Sequence, residues 1–188
     1  IVDGVPQNNL YNRSSSAQVS NVSIDQISFQ VGGYEAKYGQ AQSGIINVTT
    51  KSGQPTYSIL GDLVTSSFTD NYGYNLYAGT ISGPIIPGVE GQTIFLSAER
   101  GWFQDADPTA IELSFPSIGK TYDSYQNNPA EVWRFSGKTN HRFGEFTVNL
   151  GGLYNDRTAK VIDYRYQKNN SRFNSEFDES NLSLNARL

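Results

Sequence analysis

The chain has 188 residues and a formal net charge of −4, from 18 acidic and 14 basic side chains, so no basic surface points to nucleic acid. Cysteine is absent and His141 is the single histidine, which removes disulfide frameworks, thiol catalysis and His/Cys metal clusters together. Only 17% of residues are charged and 37% apolar, yet 12 are Tyr, 10 Phe and 2 Trp, a mixture suited to a sheet with one wet and one greasy face.

Ile1 and Val2, followed by Asp3-Gly4 and Pro6, read as a strand end entering a turn. The polar run from Val5 to Ser20 reads as a loop, and Val22, Ile24 and Ile27 lead into an expected strand at Phe29, Gln30 and Val31. Glu35 to Gly39 is expected to make one helical turn ended by glycine. Ile45–Thr50 is a clean strand closed by Lys51, Ser52 and Gly53. Residues 1–54 thus read as a small mixed α/β unit, too thin to bury a large core alone.

From Tyr57 onward the period changes to two. In 57–68, Tyr57, Ile59 and Leu63 share a face, and in 72–82, Tyr72, Tyr74, Leu76 and Ala78 alternate with Gly73, Asn75, Tyr77 and Gly79. Residues 93–100 set Ile94, Leu96 and Ala98 against Thr93, Ser97 and Glu99, and 131–139 set Trp133 and Phe135 against Arg134, Ser136 and Lys138. Residues 145–154 set Phe146, Val148, Leu150 and Tyr154 against Glu145, Thr147 and Asn149. In 181–188, Leu182, Leu184, Ala186 and Leu188 oppose Asn181, Ser183, Asn185 and Arg187. About six antiparallel strands of roughly ten residues are expected. The turns at 83–92 and 140–144 are short, whereas 101–130 and 156–174 are long, polar and aromatic. Short and long connections in alternation fit a transmembrane β-barrel, although the 68–72 connection is short where a long one is due. On periodicity alone, a soluble sheet with its apolar face turned into a core fits as well.

The words VDGVPQNN at 2–9 and ISFQVGGYEAKYGQAQSGIINVTTKSG at 27–53 resemble the second half of the plug of TonB-dependent outer-membrane receptors, in the form found in Bacteroidetes. SGPI at 82–85 and IFLSAERG at 94–101 are similar to the first barrel strands of that family. The resemblance implies residues 1–54 as the C-terminal part of a plug and 55–188 as the N-terminal strands of an outer-membrane barrel of about 22 strands, about six of them here. Gly32, Gly33, Tyr38, Gly39, Gly44, Asn47, Lys51 and Gly53 would carry the plug motif, the glycines permitting tight turns and close backbone approach. No TonB-binding box, first plug half or closing aromatic strand is seen, and no Met, so the chain is expected to be a segment of a longer protein or to be completed by other pieces. Its implied partners are the TonB energy-transducing complex through a segment absent here, the remainder of its own barrel, the lipid bilayer and a surface lipoprotein.

The loop holding Gln7, Asn8, Asn9, Tyr11 and Arg13 would be the plug apex, able to hydrogen-bond a ligand. Its plain alternative is a solvated loop. Trp102, Phe103, Tyr122 and Tyr125 in the 101–130 connection suit stacking on a ligand, or packing against loops or a partner. Asp105, Asp107 and Glu112 match no calcium-loop spacing, so neither metal nor other cofactor is expected. His141, read as lying in a tight turn, has no Ser or Asp arrangement suggesting a triad, and no phosphate-cradling glycine motif occurs. Enzymatic activity is therefore not expected. The implied function is energised import of a scarce ligand such as a siderophore, glycan or peptide across a bacterial outer membrane. The alternatives are a receptor-like barrel serving as a docking component of a surface assembly, and a soluble β-rich adhesin or carbohydrate-binding module.

Overall fold

Five of the six residues of IINVTT are β-branched, which favours an extended chain, and Ile45–Thr50 (β2) is a strand paired antiparallel with Ile24–Gln30 (β1). The structure, a computed structural model, describes residues 1–7, 18–31, 44–70, 72–106, 113–122, 129–161, 163 and 173–188. The expected helical turn at 35–39 lies outside them. The strand expected at Phe29 begins earlier, at Ile24, after a 3-10 turn at Asn21–Ser23. The first residues add a third layer of pairing. Val2 bridges Val48, Asp3 sits at φ 47 in the turn, and the Val48 amide donates to the Ile1 carbonyl at 2.9 Å.

Six further strands form one antiparallel sheet: Ser58–Thr65 (β3), Asn75–Pro84 (β4), Gln92–Phe103 (β5), Ala130–Phe143 (β8), Phe146–Val161 (β9) and Ser175–Arg187 (β10). Its order is β10-β9-β8-β5-β4-β3. Among the described residues the only departure from chain order is the 104–129 connection, which carries a small hairpin of Leu113–Phe115 (β6) and Lys120–Tyr122 (β7) around a 3-10 turn at Pro116–Ile118. Among the described residues there is no α-helix.

Three sequence expectations are corrected. Trp102 and Phe103 belong to β5 rather than to a loop, because they continue the ladder opposite Glu131 and Ala130. His141 lies inside β8, stacked on Phe143 with ring centroids 6.3 Å apart; the turn is only Gly144 and Glu145. A two-residue hairpin needs a positive φ at its first central position, and Gly144 supplies φ 61. In β4 the faces are exchanged: Ala78 is buried while Tyr77 and Ile81 are exposed. The register explains this, since Tyr77 and Ile81 pair with Arg100 and Leu96, on the opposite side from Glu99.

The consecutive ladders place whole rows of side chains on one side of the sheet. Ile59, Ile81, Leu96, Gly137, Gly152 and Leu184 are register partners across the six strands. So are Gly61, Gly79, Ala98, Phe135, Tyr154 and Leu182. This side is bare: Ile59 is 80% exposed, Leu184 72% and Leu182 63%. The alternate row on the other side reads Leu60, Thr80, Ser97, Ser136, Leu153 and Ser183, and the next Asp62, Ala78, Glu99, Arg134, Asn155 and Asn181. There Thr80, Ser82, Ser97, Glu99 and Asn155 are buried. The sheet therefore covers its polar side and leaves its apolar side open.

The linker from β2 to β3 crosses the polar side at close range. A Cβ on Gly53 would lie 2.6 Å from the Ile94 amide nitrogen and 2.6 Å from Thr93 Cβ, while one on Gly61 would meet nothing within 4 Å. Gly53→Ala should lower the urea unfolding free energy of the chain by about 1–3 kcal/mol, as overpacking against fixed backbone does, with Gly61→Ala close to neutral. Equal urea midpoints for the two variants would contradict the close approach.

Candidate functional site

Two sets of side chains stand out, one on each side of the sheet. On the covered side the first residues of the chain reach β8, β5 and β10. Lys138 Nζ donates to Asp3 Oδ1 at 2.9 Å and to the Thr50 carbonyl at 3.0 Å. The Thr50 amide donates to the same Asp3 oxygen at 3.0 Å, and its hydroxyl to Asp3 Oδ2 at 2.5 Å. One carboxylate thus joins the N-terminal turn, β2 and β8. Beside it Arg134 donates to Glu99 and to Gln18, and the Ser20 hydroxyl donates to Glu99. The Glu99 side chain is 4% exposed and that of Arg134 20%, so this pair is removed from water and depends on its hydrogen bonds to offset desolvation. The Gln54 amide donates to Ser82 Oγ at 2.8 Å, fastening the linker to β4.

Gln7, read from sequence as an outward ligand contact, is buried and donates its amide to Ser183 Oγ on β10 at 2.9 Å. A primary amide enclosed among polar neighbours binds the wall it faces. Asn8, Asn9, Tyr11, Arg13 and Tyr125 lie outside the described residues. Tyr122 pairs its backbone with Leu113 at the end of the small hairpin, and half-buried Phe103 ends β5.

Of the glycine-rich motif, Gly32, Gly33, Tyr38 and Gly39 also fall outside the described residues. Gly44 opens β2, its α-carbon facing the Phe29 ring and the Gln30 carbonyl. Asn47 sits mid-strand opposite Ser28. Lys51 donates Nζ to the Val22 carbonyl at 3.0 Å and its amide to the Ser23 carbonyl at 2.8 Å, so it ties the end of β2 to the 3-10 turn. Gly53 makes the close approach already described. These residues act locally, holding the N-terminal unit together and against the sheet.

The bare side carries an aromatic cluster that sequence reasoning only half located. Arg100 lies over Trp102 at 4.5 Å and over Trp133 at 5.1 Å, and its Nε donates to Glu131 Oε1 at 2.7 Å. Trp133 Nε1 donates to the same oxygen at 2.8 Å. Tyr77 meets Trp102 edge-on at 4.8 Å, and Phe135 continues the stack between Trp133 and Tyr154. At the opposite end of the strands stand Tyr57, Phe143 and Phe146, all exposed. Alternation placed Trp133 and Tyr154 on one face, but only the register brings Arg100 between two indoles.

Of the acidic positions weighed for calcium, Asp105 is fully buried, with its amide near the Tyr72 carbonyl at 3.3 Å. Among the described residues no group of His, Cys, Asp and Glu is placed to hold a metal ion, and no helix is long and apolar enough to cross a membrane. Compared with protein-family models, curated proteins and solved structures, the chain finds no match.

Removing one partner of an enclosed ion pair leaves a bare charge, at a cost of about 3–5 kcal/mol. Glu99→Ala should therefore destabilise the chain by that order, and Glu99→Ala with Arg134→Ala by clearly less than the two single losses combined. A double-mutant cycle on urea unfolding checks this; simple additivity would show that the two side chains are not coupled.

Proposed function

We propose that the chain is part of a TonB-dependent outer-membrane receptor, in which the sheet is a stretch of barrel wall and residues 1–54 are the end of the plug on its wet side. One observation carries this reading: the sheet buries Thr80, Ser82, Ser97 and Glu99 while Ile59, Ile81, Leu96, Leu182 and Leu184 stand exposed. In water each such apolar side chain forfeits roughly 1.5–3 kcal/mol relative to burial, and a contiguous bare band of them marks an interaction surface. Facing lipid, the same band is the stable arrangement.

Dimensions and ends support the reading. From Trp133 to Phe143 the chain of β8 advances ten residues, about 34 Å at ~3.4 Å each. Tilted by the usual ~45°, that spans about 24 Å, close to the ~25 Å apolar band of a spanning barrel. Aromatic residues stand at both margins of the band, as interfacial girdles do. The connections at 85–91 and 144–145 are short and lie at one end, while 66–74, 104–129 and 162–174 lie at the other; long loops face outward in such barrels. The edges, β3 and β10, have no further partner among the described residues, and in lipid a sheet must close. The rest of the receptor supplies the missing strands.

The mechanism follows from the covered side and is transport rather than catalysis. Lys138 and Glu99 with Arg134 hold the plug by a few directional polar contacts rather than by a broad apolar interface. Such a joint comes apart and re-forms with little apolar surface uncovered beyond Phe95. Ligand bound at the loop end shifts the plug between attached and loosened populations, and pull from the TonB complex acts on the loosened one.

Because the chain lacks cysteine, a cysteine placed in it is a single reporter once any cysteine in the rest of the receptor is replaced. Spin labels at Leu182→Cys and Leu184→Cys in the membrane-embedded protein should collide with oxygen in preference to a soluble nickel chelate, with the reverse at Asn181→Cys and Asn185→Cys. Chelate access at all four positions, or recovery of the protein without detergent, would sink the proposal.

A further inference from the structure

Next to the Arg100 cluster the bare face is indented. Gly61, Gly79 and Ala98 are register partners on β3, β4 and β5, and Gly137 and Gly152 are partners on β8 and β9. These small residues floor an apolar groove of about 640 Å³ walled by Ile59, Ile81, Leu96, Phe135, Tyr154 and Leu182. Its size falls within the roughly 300–1,000 Å³ of small-molecule sites. Ala98 lies two residues from Arg100 on the same strand and face, and Phe135 of the groove wall stacks on Trp133, so the groove adjoins the Arg100 cluster.

We propose that this face holds one phospholipid whose head carries both a phosphate and an ammonium group, the head on Arg100 and Glu131 and an acyl chain in the groove. The inference rests on the outer-membrane reading above. A hydrocarbon tail moving from lipid into an apolar groove gains little, because both surroundings are apolar. Selectivity must come from the head. Arg100 spends Nε on Glu131 and is sandwiched by two indoles, which fixes the guanidinium plane and leaves its Nη groups for a phosphate fork. A purely anionic head is disfavoured, since Glu131 adjoins the cation and Asp156 lies across from Trp133 on the same face. An ammonium group beside the phosphate satisfies those carboxylates. Trp102, Trp133 and Tyr77 supply the amphipathic collar usual at the headgroup level.

The test is native mass spectrometry of the receptor that carries this chain, purified from membranes in mild detergent and exchanged with phosphatidylethanolamine or phosphatidylglycerol. Expected is at least ten-fold greater retention of phosphatidylethanolamine. Arg100→Gln should abolish retention of both lipids. Gly79→Leu, whose side chain enters the groove where a Cβ meets only the Leu60 carbonyl at 3.7 Å, should lower retention of both by a similar factor. Glu131→Gln should erase the preference while phosphate-bearing lipids still bind, a change of selectivity that misfolding does not produce. Equal retention of the two lipids by the unaltered protein, or retention indifferent to Gly79→Leu, overturns the lipid site and leaves the receptor reading intact. Absence of the protein from the membrane fraction overturns both.

Discussion

Alternation along a strand sends neighbouring side chains to opposite faces, and a shared register decides whether those faces stay pure across a sheet. Here the register holds through five successive ladders without a slip. A one-residue shift of β5 or of β8 would carry Glu99 or Arg134 to the side occupied by Leu96 and Leu184. The separation of polar from apolar rows is therefore a collective property of the sheet. The enclosed ion pair, the bare apolar band and the glycine-floored groove all depend on it.

The two faces divide the work between them. The covered face is built from short polar side chains, so the N-terminal unit meets it through specific donors and acceptors, with Phe95 as the large apolar residue fully enclosed there. The open face is built from branched aliphatics and aromatics with glycines between them. Glycine has two opposite uses on this face. Tyr57 lies across Gly83 so closely that a Cβ would fall 2.2 Å from its ring, whereas Gly61 has nothing over it. Where an aromatic covers the glycine the surface is flat, and where nothing does it is indented.

Much of the architecture was legible in the residues. The period-two segments located all six long strands, and β2 had the bounds read from its sequence. The ends were less legible, for a physical reason. β9 runs on to Val161 and β10 begins at Ser175, where Glu176, Asp178 and Glu179 replace apolar residues, so the alternation of grease and polarity fades although the pairing continues. There Lys160 reaches Glu176 at 3.5 Å and Arg157 lies over Phe177 at 5.3 Å, contacts that need no buried face. The face exchange in β4 arose because Tyr and small residues occur on both sides of that strand, so composition could not orient it. The Arg100 cluster was illegible because its members lie on four strands, β4, β5, β8 and β9, the middle two separated by the 104–129 connection. Only their pairing reveals it.

Assembly order is set by the contacts of the covered face. Neighbours in the large sheet are also neighbours in the chain, apart from the one excursion between β5 and β8, so hairpins can add one at a time with little loop closure to overcome. The opening residues cannot settle so early: Asp3 waits for Lys138, 135 positions later, and Gln7 for Ser183, 176 positions later. Within this stretch, the earlier residues are thus the later to be fastened. During that interval the segment that carries Asp3 and Gln7 is not yet fastened to the sheet, and a chaperone that shelters unfinished chains would find it there.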